Sequence, residues 1–313
     1  MSVSTVAERL RALADRLTDF PSPRVQRIMM LVAVPALVVG AVVSYRTLDL
    51  DLAEVRWGHL ALAGLLGGPV SATVAAWEFR LSAAMVGHRI GLWQALRVTI
   101  VANALNYLPG HGGALWRVQS IRRMGSGYSG ATSVTLLLAL VWLGLAGLTA
   151  GGLLLAHGPA VAAWAFAGLG LLGLLLAAVM LRQHHRGAAA AGWGARVAMV
   201  ETCSIVVAVA RLYVVLLALG HRSGITAAVV LALAGIIASA TGIMRGGLGL
   251  RELLAGAFAP LVGLAVGLGF LASAVDRLVG TIARVPLALL LYANYGSDHG
   301  VHERPVDAAN GRR

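Results

Sequence analysis

The chain has 313 residues, 58% of them hydrophobic and only 12% charged, with a mean hydropathy of +0.81, whereas soluble domains carry roughly 25% charged residues. This composition excludes a soluble catalytic domain, and at about 20 apolar residues per helical crossing the chain has room for roughly six to eight spans. The net charge of +12 comes from 25 basic against 13 acidic residues, and every basic residue is an arginine.

Two readings of the arginine excess stand side by side: codon bias, and contact with anionic lipid headgroups, which the guanidinium fork binds bidentately. Nucleic acid is not implied, because the arginines are scattered between apolar segments instead of gathered on one domain. The single cysteine, Cys203, lies inside an apolar run and excludes an intramolecular disulfide framework or a cysteine-rich metal site.

In chain order, residues 1–27 come first. Val3, Val6, Leu10, Leu13, Leu17 and Phe20 recur at spacings of three and four, which predicts an amphipathic interfacial helix ended by Pro21 and Pro23. No cleavable signal is expected, since no small-residue cleavage site precedes Tyr45 and Arg46. The apolar runs at about 28 to 45, 57 to 79, 128 to 156, 160 to 181, 197 to 219 and 264 to 291 then read as crossings.

Two further apolar stretches, about 92 to 108 and 225 to 244, each run into a glycine-rich break and an arginine. Each reads as the first arm of a re-entrant hairpin. The expectation is an all-α polytopic membrane helix bundle, with about six spanning helices plus two re-entrant hairpins, or about eight spans. The membrane domain covers 28–292 and a polar tail 293–313.

Arginine bias among the loops sets orientation. The segments holding Arg80 and Arg89, Arg117 to Arg123, Arg182 to Arg196, and Arg304 to Arg313 are basic, as is the N-terminal segment, whereas 46–56 and 157–159 are not. Both termini are therefore expected in the cytoplasm, and the protein in a bacterial plasma (inner) membrane.

Self-similarity is the most informative feature. His88-Arg89-Ile90-Gly91 matches His221-Arg222-Ser223-Gly224 at a separation of 133, and Gly112-Gly113-Ala114-Leu115-Trp116-Arg117 matches Gly246-Gly247-Leu248-Gly249-Leu250-Arg251 at 134. Three crossings separate equivalent points, and an odd number inverts the second copy. Repeats over about 88–156 and 221–290 are thus expected to be inverted, as in many secondary transporters.

Breaking a helix in the membrane leaves backbone groups unpaired at several kcal/mol each, which is tolerated where the backbone lines a polar cavity or is buried in protein. The segments 106–113 and 242–249 are the candidate cavity linings. A helix restarting after each glycine pair would direct its amides and a nearby arginine at an anion. Close helix packing through small residues is the alternative.

Ionisable residues within spans are functional candidates by default. Arg211, Asp276 and Arg277 lie mid-span, Arg245 and Arg251 flank the second break, Glu252 follows Arg251, and Glu201 is expected one turn into its helix. Asp276 is expected to pair with Arg211 or Arg251, either leaving arginines to face an anionic ligand or simply fixing helix register. Glu78, Arg80 and Arg284 are read as interfacial, and His184-His185 as a solvated turn. No nucleophile elbow, His-Glu-x-x-His or phosphate loop is present, so no catalytic residue, metal or cofactor is assigned and an enzyme is not expected.

The stretch Asn106-x-x-Pro109-Gly110-x-Gly112-Gly113-x-x-x-Arg117, and later Gly246-Gly247-Leu248-Gly249-Leu250-Arg251-Glu252 with Asp276-Arg277 downstream, resembles the lysylphosphatidylglycerol synthase transmembrane family, the flippase-like domain of bacterial multiple peptide resistance factors. The resemblance covers about 30 to 292. It departs at the second break, where the family has a proline and this chain has Ile243 and Arg245.

The resemblance implies translocation of an anionic or aminoacylated phospholipid, or a lipid-linked headgroup, between leaflets. It points to Asn106, Pro109, Gly112, Gly113 and Arg117 in one half and Gly246, Gly247, Gly249 and Glu252 in the other. Aminoacyl transfer belongs to a separate soluble domain in full-length relatives and is not expected here. The alternative, found among some relatives, is a membrane-embedded transferase, or an accessory subunit partnering an envelope-biosynthesis enzyme in polyprenyl-phosphate-linked glycan chemistry.

Overall fold

A computed structural model describes residues 39–48, 53–105, 112–185, 187–241 and 249–298, and these are helical with short turns and no strand among them. The interfacial helix expected over 1–27, the crossing over 28 to 45 as far as residue 38, both glycine breaks and the end of the polar tail lie outside the described residues. Residues 39–47 are helical.

Helices α1 (Trp57–Leu65) and α2 (Ser71–Met85) are joined without interruption by a π-helical turn, Leu66–Val70. Pro69 within that turn has no amide hydrogen to place in an α ladder, so the chain widens locally and Ser71 N–H bonds back to Leu66 O. There follow α3 (Leu92–Leu105), α4 (Gly112–Arg123), α5 (Tyr128–His157), α6 (Ala160–His184), α7 (Ala188–Ala218), α8 (Ile225–Thr241), α9 (Leu250–Phe258), a 3-10 turn (Ala259–Val262) and α10 (Val266–Asp298).

Five of these units are long and apolar enough to cross a membrane: Trp57–Met85, Tyr128–Ala156, Ala160–Gln183, Ala189–Ala218 and Val266–Arg284. The chain is a polytopic membrane helix bundle. Its outer surface is apolar, as lipid requires: α6 turns Val161, Leu171, Leu172, Leu175 and Val179 outward.

One boundary needs correction. The apolar run places the fifth crossing at 197, yet α7 begins at Ala188, because Ala188 to Ala191 have the highest helix propensity without raising hydropathy much. Arg196 is consequently helical, over the Trp193 ring at 5.2 Å, and Glu201 lies more than three turns into α7, not one. His185 also packs on Trp193, with ring centroids 5.6 Å apart.

Helices α5 and α6 form a hairpin whose seam is glycine. A Cβ on Gly147 would meet Phe166 O at 2.8 Å and Gly170 Cα at 3.0 Å, and one on Gly151 would meet Ala167 N at 2.7 Å. With lipid as solvent there is no hydrophobic drive between apolar helices, so association depends on such close backbone approach.

The order of elements occurs twice. A long helix, a Gly-His-Arg-x-Gly turn, a shorter helix, a break, another short helix, a glycine turn and a long helix describe α1–α2 through α5, and again α7 through α10. Gly87 (φ 89°) and Gly220 (φ 80°) take the left-handed conformation. The next amide closes the helix end in both copies, His88 N–H to Ala83 O and His221 N–H to Leu216 O, each at 2.9 Å.

Contacts between elements are reciprocal. Helix α3 packs on α10 and α8 on α5; α2 packs on α3 and α7 on α8; α3 meets α4 as α8 meets α9. The first long helix of each set runs antiparallel to the other. Arg56 N–H donates to Ala218 O at 3.1 Å, and Ser71 Oγ accepts from Arg211 Nη1 at 3.4 Å. His88 Nε2 and Ser126 Oγ, which flank the α3–α4 pair in sequence, are 2.8 Å apart.

Candidate functional site

Three helices, α7, α9 and α10, bring ionic groups together. The Arg211 guanidinium, on α7, binds Asp276 of α10 bidentately, Nε to Oδ1 at 2.9 Å and Nη2 to Oδ2 at 2.5 Å. Its Nη1 reaches Ser71 Oγ at 3.4 Å, and Ser71 donates in turn to Leu66 O at 2.8 Å. The π turn therefore presents both the hydroxyl and an open face: a Cβ on Gly67 would sit 3.4 Å from Arg211 Cδ.

Arg251, in the first turn of α9, hydrogen-bonds the same Asp276 Oδ2 through Nη2 and lies against Gly235 of α8, where a Cβ would come within 3.1 Å of Arg251 Nε. That Nε is buried with no hydrogen-bond partner among the described residues. The expected pairing of Asp276 with Arg211 or Arg251 is thus both at once: one carboxylate, 1% exposed, bridges two arginines.

Glu252 has two tasks. Its Oε2 accepts from Gly249 N–H at 3.0 Å, closing the start of α9, and its Oε1 forms an ion pair with Arg277 Nε at 3.0 Å. Gly249 has φ 79°, a conformation that costs a residue with a Cβ roughly 1–2 kcal/mol. Among the described residues, three arginines (Arg211, Arg251, Arg277) meet two carboxylates (Asp276, Glu252), a formal sum of +1.

A second ion pair joins α4 to α2. Arg117 of α4 donates Nη1 to Glu78 Oε1 of α2 at 2.8 Å, and Glu201 of α7, a helix packed on α2, is 2% exposed. Glu78, expected at an interface, pairs with Arg117, and its helix continues to Met85. Arg80 does meet the boundary residues, over the Trp77 ring at 4.5 Å with Nε on Ile90 O at 3.2 Å. Arg284 turns back to Gly280 O at 3.0 Å.

Of the residues singled out from sequence, the structure brings Arg211, Arg251, Glu252, Asp276, Arg277 and Gly249 into one cluster and pairs Arg117 with Glu78. Gly113 is buried at the start of α4. Asn106, Pro109, Arg245, Gly246 and Gly247 lie outside the described residues, and Gly112 is described only as the first residue of α4. Sequence reasoning missed Ser71 and gave Glu78 no role.

A signal for both existed. At the separation of 133 that relates His88 to His221, Ser71 corresponds to Ser204 and Glu78 to Arg211. No protein-family model, curated protein or solved structure matches this chain.

Proposed function

We propose that this chain is a flippase-like lipid translocator, of the kind its resemblance to the lysylphosphatidylglycerol synthase transmembrane family suggests, moving an anionic or aminoacylated phospholipid or a lipid-linked headgroup. The observation that carries this reading is the cluster of Arg211, Arg251 and Arg277 with Asp276 and Glu252, a formal sum of +1 among the described residues. A cluster whose described side chains sum to a positive charge within a bundle interior favours an anion nearby. A phosphate diester is the anion a membrane offers in abundance.

The reciprocal contacts, the antiparallel pairing of α1–α2 with α7, and the approach of His88 to Ser126 across the α3–α4 pair support the inverted-repeat and re-entrant reading. Such an arrangement offers a central site to either side by rocking one half on the other. On this reading the chain performs transport and no covalent chemistry.

The test is movement of labelled anionic phospholipid between leaflets of liposomes holding the purified protein. Arg251→Ala and Glu252→Gln should each lower the rate at least about tenfold, the loss of roughly 1.4 kcal/mol of binding. Rates equal to empty liposomes across several anionic lipids would exclude translocation, and headgroup transfer from a labelled donor would support the transferase alternative.

A further inference from the structure

Between Glu78 and Glu201 the chain has nine arginines and no acidic residue. Of the nine, Arg117 pairs with Glu78, so nothing in that stretch of chain answers the charge of the other eight. The terminal segments do not answer it either, since 1–27 holds five arginines against three acidic residues and 293–313 three against three.

Helix connectivity gathers these arginines at one end of the bundle. Arg56 N–H on Ala218 O puts the start of α1 at the end of α7, and hence the end of α2 at the start of α7. The short link 185–187 brings the end of α6 there too. His88, just past α2, lies 2.8 Å from Ser126, just ahead of α5, so the end of α4 and the starts of α3 and α5 meet at the same place. The turns of the opposite end, 46–56, 157–159, 220–224 and 259–266, hold three arginines against three acidic residues.

All five arginine–aromatic stacks among the described residues lie at the arginine-rich end, with Cζ 4.5 to 5.8 Å from the ring centroid. Arg122 lies over Tyr128, Arg123 over Trp116 and Arg196 over Trp193. Two apolar clusters support the rings: one from α2 to α5 with Trp116 packed against it, and one from α2, α5, α6 and α7 with Trp193 packed against it. Val86 packs on both, so the surface is continuous.

Stacking occupies the face of a guanidinium and leaves its N–H groups to donate in the plane of the fork, the geometry that takes phosphate oxygens two at a time. Tryptophan and tyrosine rings settle at the headgroup level of a bilayer. One turn deeper than Arg80 and Arg196, Trp77 and Met199 are 48% and 63% exposed. Whatever meets these arginines must therefore carry hydrocarbon beneath its negative charge, which a phospholipid does and a soluble acidic protein or a nucleic acid does not.

We propose that this end of the bundle is a docking surface for the anionic phospholipids of one leaflet, with the phosphodiester on the stacked arginines and the acyl chains against Trp77 and Met199. The surface is separate from the Arg211, Arg251 and Arg277 cluster. It stands whether or not the chain moves lipid.

The test is electron paramagnetic resonance of the purified protein in phosphatidylcholine bilayers. Phosphatidylglycerol and phosphatidylcholine carrying the same acyl-chain spin label are compared for the fraction held immobile at the protein. The wild type should prefer phosphatidylglycerol at least about fivefold, the factor that one arginine contributes at an anionic surface. Joint replacement Arg122→Gln, Arg123→Gln and Arg196→Gln should bring the preference below about twofold, while Arg46→Gln, Arg56→Gln and Arg222→Gln together should leave it unchanged.

Equal retention of the two lipids by the wild type would overturn the proposal, and binding of polyglutamate by that same protein would assign the arginines to a soluble acidic partner. An equal fall in the two triple variants would overturn the one-sided surface. Inorganic phosphate should displace phosphatidylglycerol no more than chloride does at the same ionic strength; specific displacement would mark a free-anion site instead. Should the first triple variant fail to fold, ionic strength decides: the wild-type preference should shrink as salt rises, and a preference indifferent to salt would overturn the role of the arginines.

Discussion

At the scale of single residues, Asp276 has the largest consequence. Its carboxylate is the only group separating Arg211 from Arg251 in the described cluster, and it is 1% exposed. Removing one partner of a buried ion pair costs about 3–5 kcal/mol because the other charge is left uncompensated. Asp276→Asn should therefore destabilise the protein by about that amount, read as a lower midpoint in denaturant unfolding in detergent, while Asp276→Glu retains most of the stability. These charges were legible in the sequence because an arginine or aspartate inside an apolar run stands out. Glu78 did not stand out, being near the edge of its run, and nothing local marked Ser71 at all.

At the scale of elements, the α5–α6 hairpin is held by backbone approach at Gly147 and Gly151, with Gly170 opposite. A side chain at Gly147 meets backbone atoms that cannot step aside, so Gly147→Leu should cost at least the 1–3 kcal/mol typical of overpacking, measured by the same unfolding assay. Gly152, with nothing within 4 Å of its Cβ position, is the control: Gly152→Leu should be close to neutral. The sequence marked both helices by length and hydropathy but could not say which glycines face the seam, since α5 is apolar on every side. The start of α7 was illegible for a related reason: alanines extend a helix without announcing a span.

At the scale of the whole molecule, the two Gly-His-Arg-x-Gly turns are expected on opposite sides of the membrane. In a Cys203→Ser background, Gly91→Cys and Gly224→Cys should be labelled by a membrane-impermeant maleimide from opposite faces of the membrane. Labelling of both from one face would exclude the inverted arrangement while leaving the helix bundle intact. His88 and Ser126, 2.8 Å apart, further require that Ser126→Cys be labelled from the same face as Gly91→Cys.

The sequence by itself determined the membrane class, five of the crossings with the start of α7 misplaced by nine residues, the duplicated motif and the charged residues worth attention. Hydropathy and side-chain charge are local properties, readable without knowing what packs beside a residue. Pairing is different. Whether Asp276 serves Arg211 or Arg251, and whether Glu78 meets Arg117, depend on how helices align that are 25 to 65 residues apart in sequence. Only the tertiary structure decided those, because the close backbone packing that sets helix register comes from shape complementarity between elements, which no single element encodes.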